Sequence, residues 1–269
     1  MLNFLIPVKN HAHINDWNNI KNNISSTLKS INNQSDNNWH CYIVCNFGCD
    51  LPELPDKNKF TVLFVDLHKK NIQQSDGLKA YYDAIREDKG LRLYTALKRC
   101  NNDDFFMVVD YDDYVHKDIS LYVNKHKDEN GWFINKGYYY SGGNLLVKTN
   151  KFDMKCGTSN ILKVSLVYEF NDGEKELPIL LIKELLGSHR FLKQYMSEKK
   201  LKFKSFPFYA ALYNIGLPGS TSGTMAIRNH FFSLSVLIRR PDRYIRNALN
   251  IRWFSSKKKN LFGLVYLYR

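Results

Sequence analysis

The stretch FFMVVDYDDYV, Phe105–Val115, runs five apolar residues straight into Asp110, Asp112 and Asp113, with only Tyr111 between them. An apolar run of this length reads as a buried strand. Like charges packed at its end repel one another, and each costs free energy to desolvate. A hard divalent cation answers both difficulties. Mg²⁺ or Mn²⁺ takes oxygen ligands, keeps several waters, and is held by one or two carboxylates plus substrate phosphates. Aspartates also fill ordinary turns and helix starts. Here the D-x-D pair follows a strand in a chain of alternating strands and helices, which favours metal-phosphate binding.

Outward from this strand, the preceding residues repeat the alternation. LNFLIPVKN is a short apolar run ended by Pro7. Trp17, Ile20, Ile24, Thr27, Leu28 and Ile31 recur at helical spacing, with Asp16 placed to cap them. WHCYIVCN and FTVLFVD are rich in β-branched and aromatic residues and read as strands around the loop FGCDLPELPDKNK. Leu91, Leu93, Tyr94 and Leu97 mark the apolar face of a helix leading to the opening strand. Strand, helix, strand, strand, helix, strand predicts an α/β fold with a mainly parallel sheet covered by helices. Ligands of such sheets sit outside the carboxyl ends of the strands, where Pro7–Asn10, Asn46–Asp50, Asp66 and Asp110–Asp113 all fall.

The 269 residues, 44% of them hydrophobic, suffice for a substantial core, so wholesale disorder is excluded. No run of roughly 18 apolar residues is present, and MLNFLIPVKNHAH reads as a first strand and not a signal peptide, so a cytoplasmic chain is expected. Cys41, Cys45, Cys49, Cys100 and Cys156 match no common zinc spacing and are expected to be reduced and mostly buried. A net charge of +13 calls for an anionic partner.

Residues 1 to about 120 resemble the GT-A nucleotide-sugar glycosyltransferases, close to the family 2 group. The resemblance is carried in order by FLIPVKN, ISSTLKSINNQSDNNWHCYIVCN and DKGLRLYTALKRCNNDDFFMVVDYDDYV. It implies a GT-A, Rossmann-like sheet, a Mn²⁺ or Mg²⁺ cofactor and a nucleotide-sugar donor, with a UDP-sugar favoured. By position, Pro7 and Val8 would line the base and ribose pocket through backbone groups. Asn46 and Asp66 would sit near the uracil or ribose, and Lys89 would approach the nucleotide edge. Asp110 and Asp112 would carry cation and diphosphate, with Tyr111 in the donor site and Asp113 a third ligand or a sugar-hydroxyl contact. Relatives often carry an acid at the end of strand two, where Asn46 and Phe47 stand here and Asp50 follows.

The implied reaction moves a hexose, with inversion, to a surface-glycan acceptor such as capsule, O-antigen or lipooligosaccharide, free or lipid-linked. It needs a base for the acceptor proton. The family places an acid after the D-x-D strand, but GSHRFL has none. Glu184 is the nearest upstream carboxylate, with Asp153 and Asp172 as others. His189 is a base or late metal ligand, and Arg190 a phosphate clamp. The turn in KCGTSNILK borders donor and acceptor in this reading, and GLPGSTSGTMAIR is a lid or a connection.

Residues 1–230 are expected to form one domain, with a nucleotide half to 120 and an acceptor half from 121. Residues 231–269 form a basic extension. There Ile238, Tyr244, Ile245, Leu249, Trp253 and Phe254 interleave with Arg239, Arg240, Arg243, Arg246, Arg252, Lys257 and Lys258. Contact with an anionic membrane surface and a packed helix both fit, while nucleic acid is not the expected partner. The alternatives are a nucleotidyltransferase built on the same carboxylates, although PVKNHAH lacks the glycines of a phosphate loop, and a basic nucleic-acid-binding module.

Overall fold

Strand β1 (Leu2–Pro7) is buried along its whole length, and its side chains alternate between two cores. Phe4 and Ile6 pack beneath Ile20, Ile24, Leu28 and Ile31 of helix α1 (Trp17–Asn32). Leu5 packs with Leu93, Tyr94, Ala96 and Leu97 of helix α2 (Leu78–Leu97). The period of two along the strand thus feeds both faces, as a central strand between helix layers requires. The Asp16 carboxylate caps α1 by accepting from the Asn19 N–H at 3.1 Å.

In the computed structural model, residues 1–68, 70, 72–218 and 223–265 are described. The remaining strands are β2 (Trp39–Asn46), β3 (Phe60–Val65), β4 (Phe105–Val108), β5 (Tyr114–Val115), β6 (Gly131–Phe133), β7 (Gly137–Tyr140), β8 (Leu145–Thr149), β9 (Asn160–Lys163), β10 (Lys204–Ser205), β11 (Ala211–Asn214) and β12 (Ile251–Trp253). Shorter helices follow: α3 (Ile119–Lys125), α4 (Val164–Glu169), α5 (Ile179–Leu181), α6 (Leu192–Glu198), α7 (Ile227–Phe231), α8 (Leu234–Arg239), α9 (Pro241–Leu249) and α10 (Ser256–Leu261). A π-helical turn, Ile182–Leu186, continues α5.

The main sheet runs in the order β10-β6-β9-β4-β1-β2-β3. Strands β1 to β4 pair in parallel, whereas β9 is antiparallel to both β4 and β6. This is the mainly parallel, helix-flanked α/β sheet that the GT-A resemblance implies. Strand β9 comes from the second half of the chain yet lies between β4 and β6, so the two halves share one sheet.

A second sheet, β12-β8-β7-β11-β5, stands beyond the carboxyl end of β4. It corrects the reading of residues 231–269 as an appended segment. Strand β12 pairs with β8, and Phe254, Phe262 and Leu264 pack in a core with Tyr114, Tyr138 and Leu212. All five cysteines are free, and Cys41, Cys45 and Cys156 are buried. No described helix is long and apolar enough to cross a membrane.

Candidate functional site

When β4 leaves the sheet its backbone must find new partners. The Asp113 N–H donates to the Asp110 carbonyl at 3.0 Å, closing a turn over the acidic run. Helix α1 grips that turn from below. The buried Thr27 hydroxyl lies 2.9 Å from the Tyr111 carbonyl and 3.0 Å from that of Asp113. The Ser30 hydroxyl donates to the Val115 carbonyl at 3.1 Å and accepts from its N–H at 2.9 Å. The polar residues within the apolar face of α1 thereby satisfy the chain that carries the site.

Asp113 is fully buried. Its Oδ2 accepts from the Cys156 thiol at 3.0 Å and the Thr158 hydroxyl at 2.6 Å, and its Oδ1 from the Asn214 N–H at 3.1 Å. Both oxygens are engaged within the protein, which corrects its reading as a third metal ligand or sugar contact. Asp113 instead binds three segments together: the turn after β4, the Cys156–Thr158 loop, and the end of β11. Burial, and then Asp112 and Asp110, push its carboxyl well above the ordinary range, against the pull of its donors.

Asp110 and Asp112 remain on the open side of the turn, both half-buried. The Lys89 ammonium, reaching from α2, lies 2.5 Å from Asp110 Oδ1. The Asp110 N–H donates to the Thr158 hydroxyl at 2.9 Å. Gly157 is pressed against this pair: a Cβ there would fall 2.4 Å from Asp110 Oδ2 and 2.8 Å from Lys89 Nζ. Burial and the Asp110 charge raise the Asp112 carboxyl to about 7, with Lys9 opposing. Lys9 Nζ also stands 5.9 Å from the centre of the buried Tyr111 ring. Burial, then Asp112 and Asp110, push the Tyr111 phenol up.

The strand-end residues divide. Asn46 is buried, and its Nδ2 donates to the Leu67 carbonyl at 2.8 Å while its Oδ1 is buried without a partner. Asn10 also donates to Leu67, at 3.3 Å. Asp66 is exposed. Pro7 lies within β1, paired with Val44. Val8 is fully buried and its N–H donates to the Val44 carbonyl at 2.8 Å, so that donor is withheld from a nucleotide. Asp50 is taken by Lys21 at 2.7 Å.

On the other side of Asp110, a small pocket of about 20 Å³ is lined by Lys89, Gly157, Asn160, Ser188 and His189 over an apolar floor. His189 Nε2 is buried without a hydrogen-bond partner. Burial, with help from Lys89, holds the imidazole down at about 4, so it is neutral near pH 7. Glu184 is turned elsewhere: its carboxylate accepts from the Tyr195 hydroxyl at 2.5 Å, and it does not line the pocket. Asp153 is bound by Lys193 at 2.6 Å. Asp172 and Arg190 are exposed. The sequence reading of Glu184 as a base is corrected by these placements. The centre of GLPGSTSGTMAIR, residues 219–222, lies outside the described residues; at its base the Gly216 N–H donates to the Thr224 carbonyl at 2.9 Å.

Among the described residues no three His, Cys, Asp or Glu side chains converge as a metal cage. With Asp113 withdrawn, Asp110 and Asp112 form a pair of half-buried, mutually repelling carboxylates. Such a pair fits a Mg²⁺ or Mn²⁺ ion whose shell is completed by water and phosphate oxygens. Asn214 carries no signal in the sequence, whereas Lys9 falls in the strand-end stretch Pro7–Asn10 and Cys156 and Thr158 fall in KCGTSNILK, the turn expected to border donor and acceptor.

No protein-family model matches the chain, and no curated protein matches it in sequence. Among solved structures, S. aureus TarS 1–349 is similar at a TM-score of 0.47 and 14% identity, covering 79% of this chain and 60% of that one. The Francisella tularensis 2-C-methyl-D-erythritol 4-phosphate cytidylyltransferase reaches 0.39 at 12% identity, covering 90% and 99%. Mannose-6-phosphate isomerase from Helicobacter pylori reaches 0.33 at 12%, covering 81% and 98%. Likenesses at these scores carry nothing about activity, and this chain spans 60% of the TarS structure's length.

Proposed function

We propose that this chain is a metal-dependent glycosyltransferase that moves a hexose from a nucleotide sugar, with a UDP-sugar favoured, to a surface-glycan acceptor with inversion. One observation supports this above the others: the Asp110–Lys89 pair, pressed against Gly157 and beside Asp112, lies at the carboxyl edge of a parallel sheet. Ligands of such sheets bind at that edge. The combination of a carboxylate pair and an adjacent ammonium suits a cation-bound diphosphate.

In this reaction the acceptor oxygen bonds to the anomeric carbon as the bond from that carbon to the diphosphate breaks. The broken bond's electrons leave with the nucleoside diphosphate, and the acceptor proton passes to a base. Asp110 and Asp112 would hold the divalent ion, which supplies stabilisation of the departing negative charge. The Lys89 ammonium turns from Asp110 toward the diphosphate and adds fixed positive charge where charge develops. His189 is the preferred base, because its Nε2 is an unpartnered acceptor in a neutral ring. The incoming diphosphate raises its proton affinity from the ligand-free level.

The test is product identity. Incubation with UDP-hexoses, Mn²⁺ and a saccharide acceptor should release UDP, and Asp112→Asn should abolish the release. Release of pyrophosphate from a nucleoside triphosphate and a sugar phosphate, with no UDP formed from UDP-hexoses, would assign the chain to the nucleotidyltransferases instead.

A further inference from the structure

Helices α8 and α9 form a pair in which no residue is buried. Leu234 and Ile238, one turn apart on α8, are 75% and 77% exposed, and Leu249 on α9 is 72% exposed. Ile245 lies one turn before Leu249 on the same face of α9 and is also exposed. In β12, the strand that follows α9 in the chain, the exposed Trp253 pairs in register with the exposed Leu145 of β8. Isolated exposed leucines need no explanation, but Leu234, Ile238, Ile245 and Leu249, all exposed on one helix pair, do.

The pair is nonetheless firmly mounted. Asn247 Nδ2 donates to the Phe231 carbonyl at 3.2 Å, and the Tyr244 ring meets Phe232 edge-on at 5.4 Å. Phe231 in turn packs in a core with Tyr139, Val147 and Ile215. The inner face of α9 is therefore spent on the protein, and the outer face carries Ile245 and Leu249.

Charge along this stretch has one sign. Arg239, Arg240, Arg243, Arg246, Arg252, Lys257 and Lys258 lie in the same stretch of chain, and Asp242 is the single acid between residues 231 and 265. Asp242 is already engaged by Arg240 and Arg246, each at 3.2 Å. The Lys148 ammonium is lowered by partial burial and then by Arg252 and Lys258, the mark of cations crowded without enough counter-charge.

We infer that the α8–α9 pair with Trp253 docks the protein on an anionic lipid bilayer, apolar side chains entering the headgroup region and arginines meeting lipid phosphates. Amphipathic helices with this division of apolar and cationic residues lie in the interface plane. Each arginine near such a surface contributes by attraction to anionic lipid. A second copy of this chain would bring one basic face against another. A nucleic acid would leave Leu234, Ile238 and Leu249 without a function. The surface is linked to the site through the second sheet: the Phe231 ring meets Tyr139 edge-on at 4.9 Å, and Tyr139 pairs with Tyr213, the neighbour of Asn214, whose N–H donates to Asp113 Oδ1. A lipid-linked acceptor held at the membrane would be presented near Asp110, a consequence that rests on the transferase reading, whereas the docking itself does not.

The experiment is sedimentation of the full chain with vesicles of phosphatidylcholine alone and of phosphatidylcholine mixed with phosphatidylglycerol, at low and high salt. Binding should require phosphatidylglycerol and weaken with salt. The double variant Ile238→Asp, Leu249→Asp should lower the partition coefficient by about tenfold or more. Arg243→Ala and Arg246→Ala should each lower it by roughly fivefold. All of these side chains are exposed, so the variants should keep the wild-type melting temperature and the UDP release measured without vesicles. The inference fails if wild type binds neutral and anionic vesicles equally, or neither, or if the variants bind as wild type does. It also fails if the apolar variants merely convert a dimer to monomers while vesicle binding is absent.

Discussion

The Asn214 N–H donates to Asp113 Oδ1 at 3.1 Å across a separation of 101 residues. This single bond joins the last residue of β11, in the second sheet, to the turn that leaves the main sheet. Together with the Cys156 thiol and the Thr158 hydroxyl on Oδ2, it makes Asp113 the point where the two sheets meet beneath the open carboxylates.

Loss of that carboxylate should therefore be a folding defect before it is a catalytic one. Asp113→Ala leaves buried donors without an acceptor, and a cost of about 3 kcal/mol or more is expected. Denaturant midpoints should show it, and Asp112→Asn should not share it.

Gly157→Ala tests the close approach at the site. The added Cβ would fall 2.4 Å from Asp110 Oδ2 and 2.8 Å from Lys89 Nζ. The flexible lysine tip can yield and the carboxylate must shift, so the fold should survive at a cost of about 1–3 kcal/mol. UDP affinity should fall by at least about tenfold, read by calorimetry, because the pair that meets the diphosphate has been pushed apart.

The pH dependence of stability carries opposing contributions. The Asp112 carboxyl rises from 3.8 to about 7 in the folded chain. Between those values the folded chain keeps a proton that the unfolded chain has lost, so this contribution is complete below 3.8 and disappears as pH rises through 7. Asp112→Asn should therefore melt higher than wild type near pH 8 in the absence of metal, with the difference vanishing near pH 4. His116 and His189 act in the other sense. Burial lowers both from 6.5 to about 4, so their contribution is complete above 6.5 and is lost as pH falls through 4. Replacing His116 by Phe should flatten the acid limb of a plot of Tm against pH.

Glu184 and His189 separate packing from proton transfer. His189→Ala should reduce turnover by roughly 10²-fold or more, the usual scale for loss of a general base. Glu184→Gln should leave turnover within a few-fold and lower the melting temperature, since its carboxylate serves the Tyr195 hydroxyl. Steady-state rates and melts on the same samples decide between these roles.

The parts of the fold legible in sequence were those with local periodicity. Five apolar residues before Asp110, the spacing of Ile20, Ile24, Leu28 and Ile31, and the Asp16 cap each carry their signal within a few positions, and each took the expected place. The second sheet was not legible in the same way. Strand β11 has only four residues and pairs with β5, about 100 positions away. The role of Asp113 was hidden for the same reason: D-x-D-D looks alike whether the last carboxylate faces solvent or Thr158 and Asn214. Glu184 is the nearest carboxylate along the chain, whereas the π-helical turn Ile182–Leu186 leaves it bonded to Tyr195. The apolar residues of α8 and α9 were legible as amphipathic, but only the fold shows that no residue of either helix is buried.

The central claim is that Asp110, Asp112 and Lys89 together receive a metal-bound nucleoside diphosphate. Calorimetric titration of UDP with and without Mn²⁺ tests it most directly, on wild type, Asp112→Asn and Lys89→Ala. The account predicts binding that requires Mn²⁺, is lost in Asp112→Asn and is weakened in Lys89→Ala. UDP binding that is absent in wild type, or indifferent to Mn²⁺ and unchanged in both variants, would contradict it.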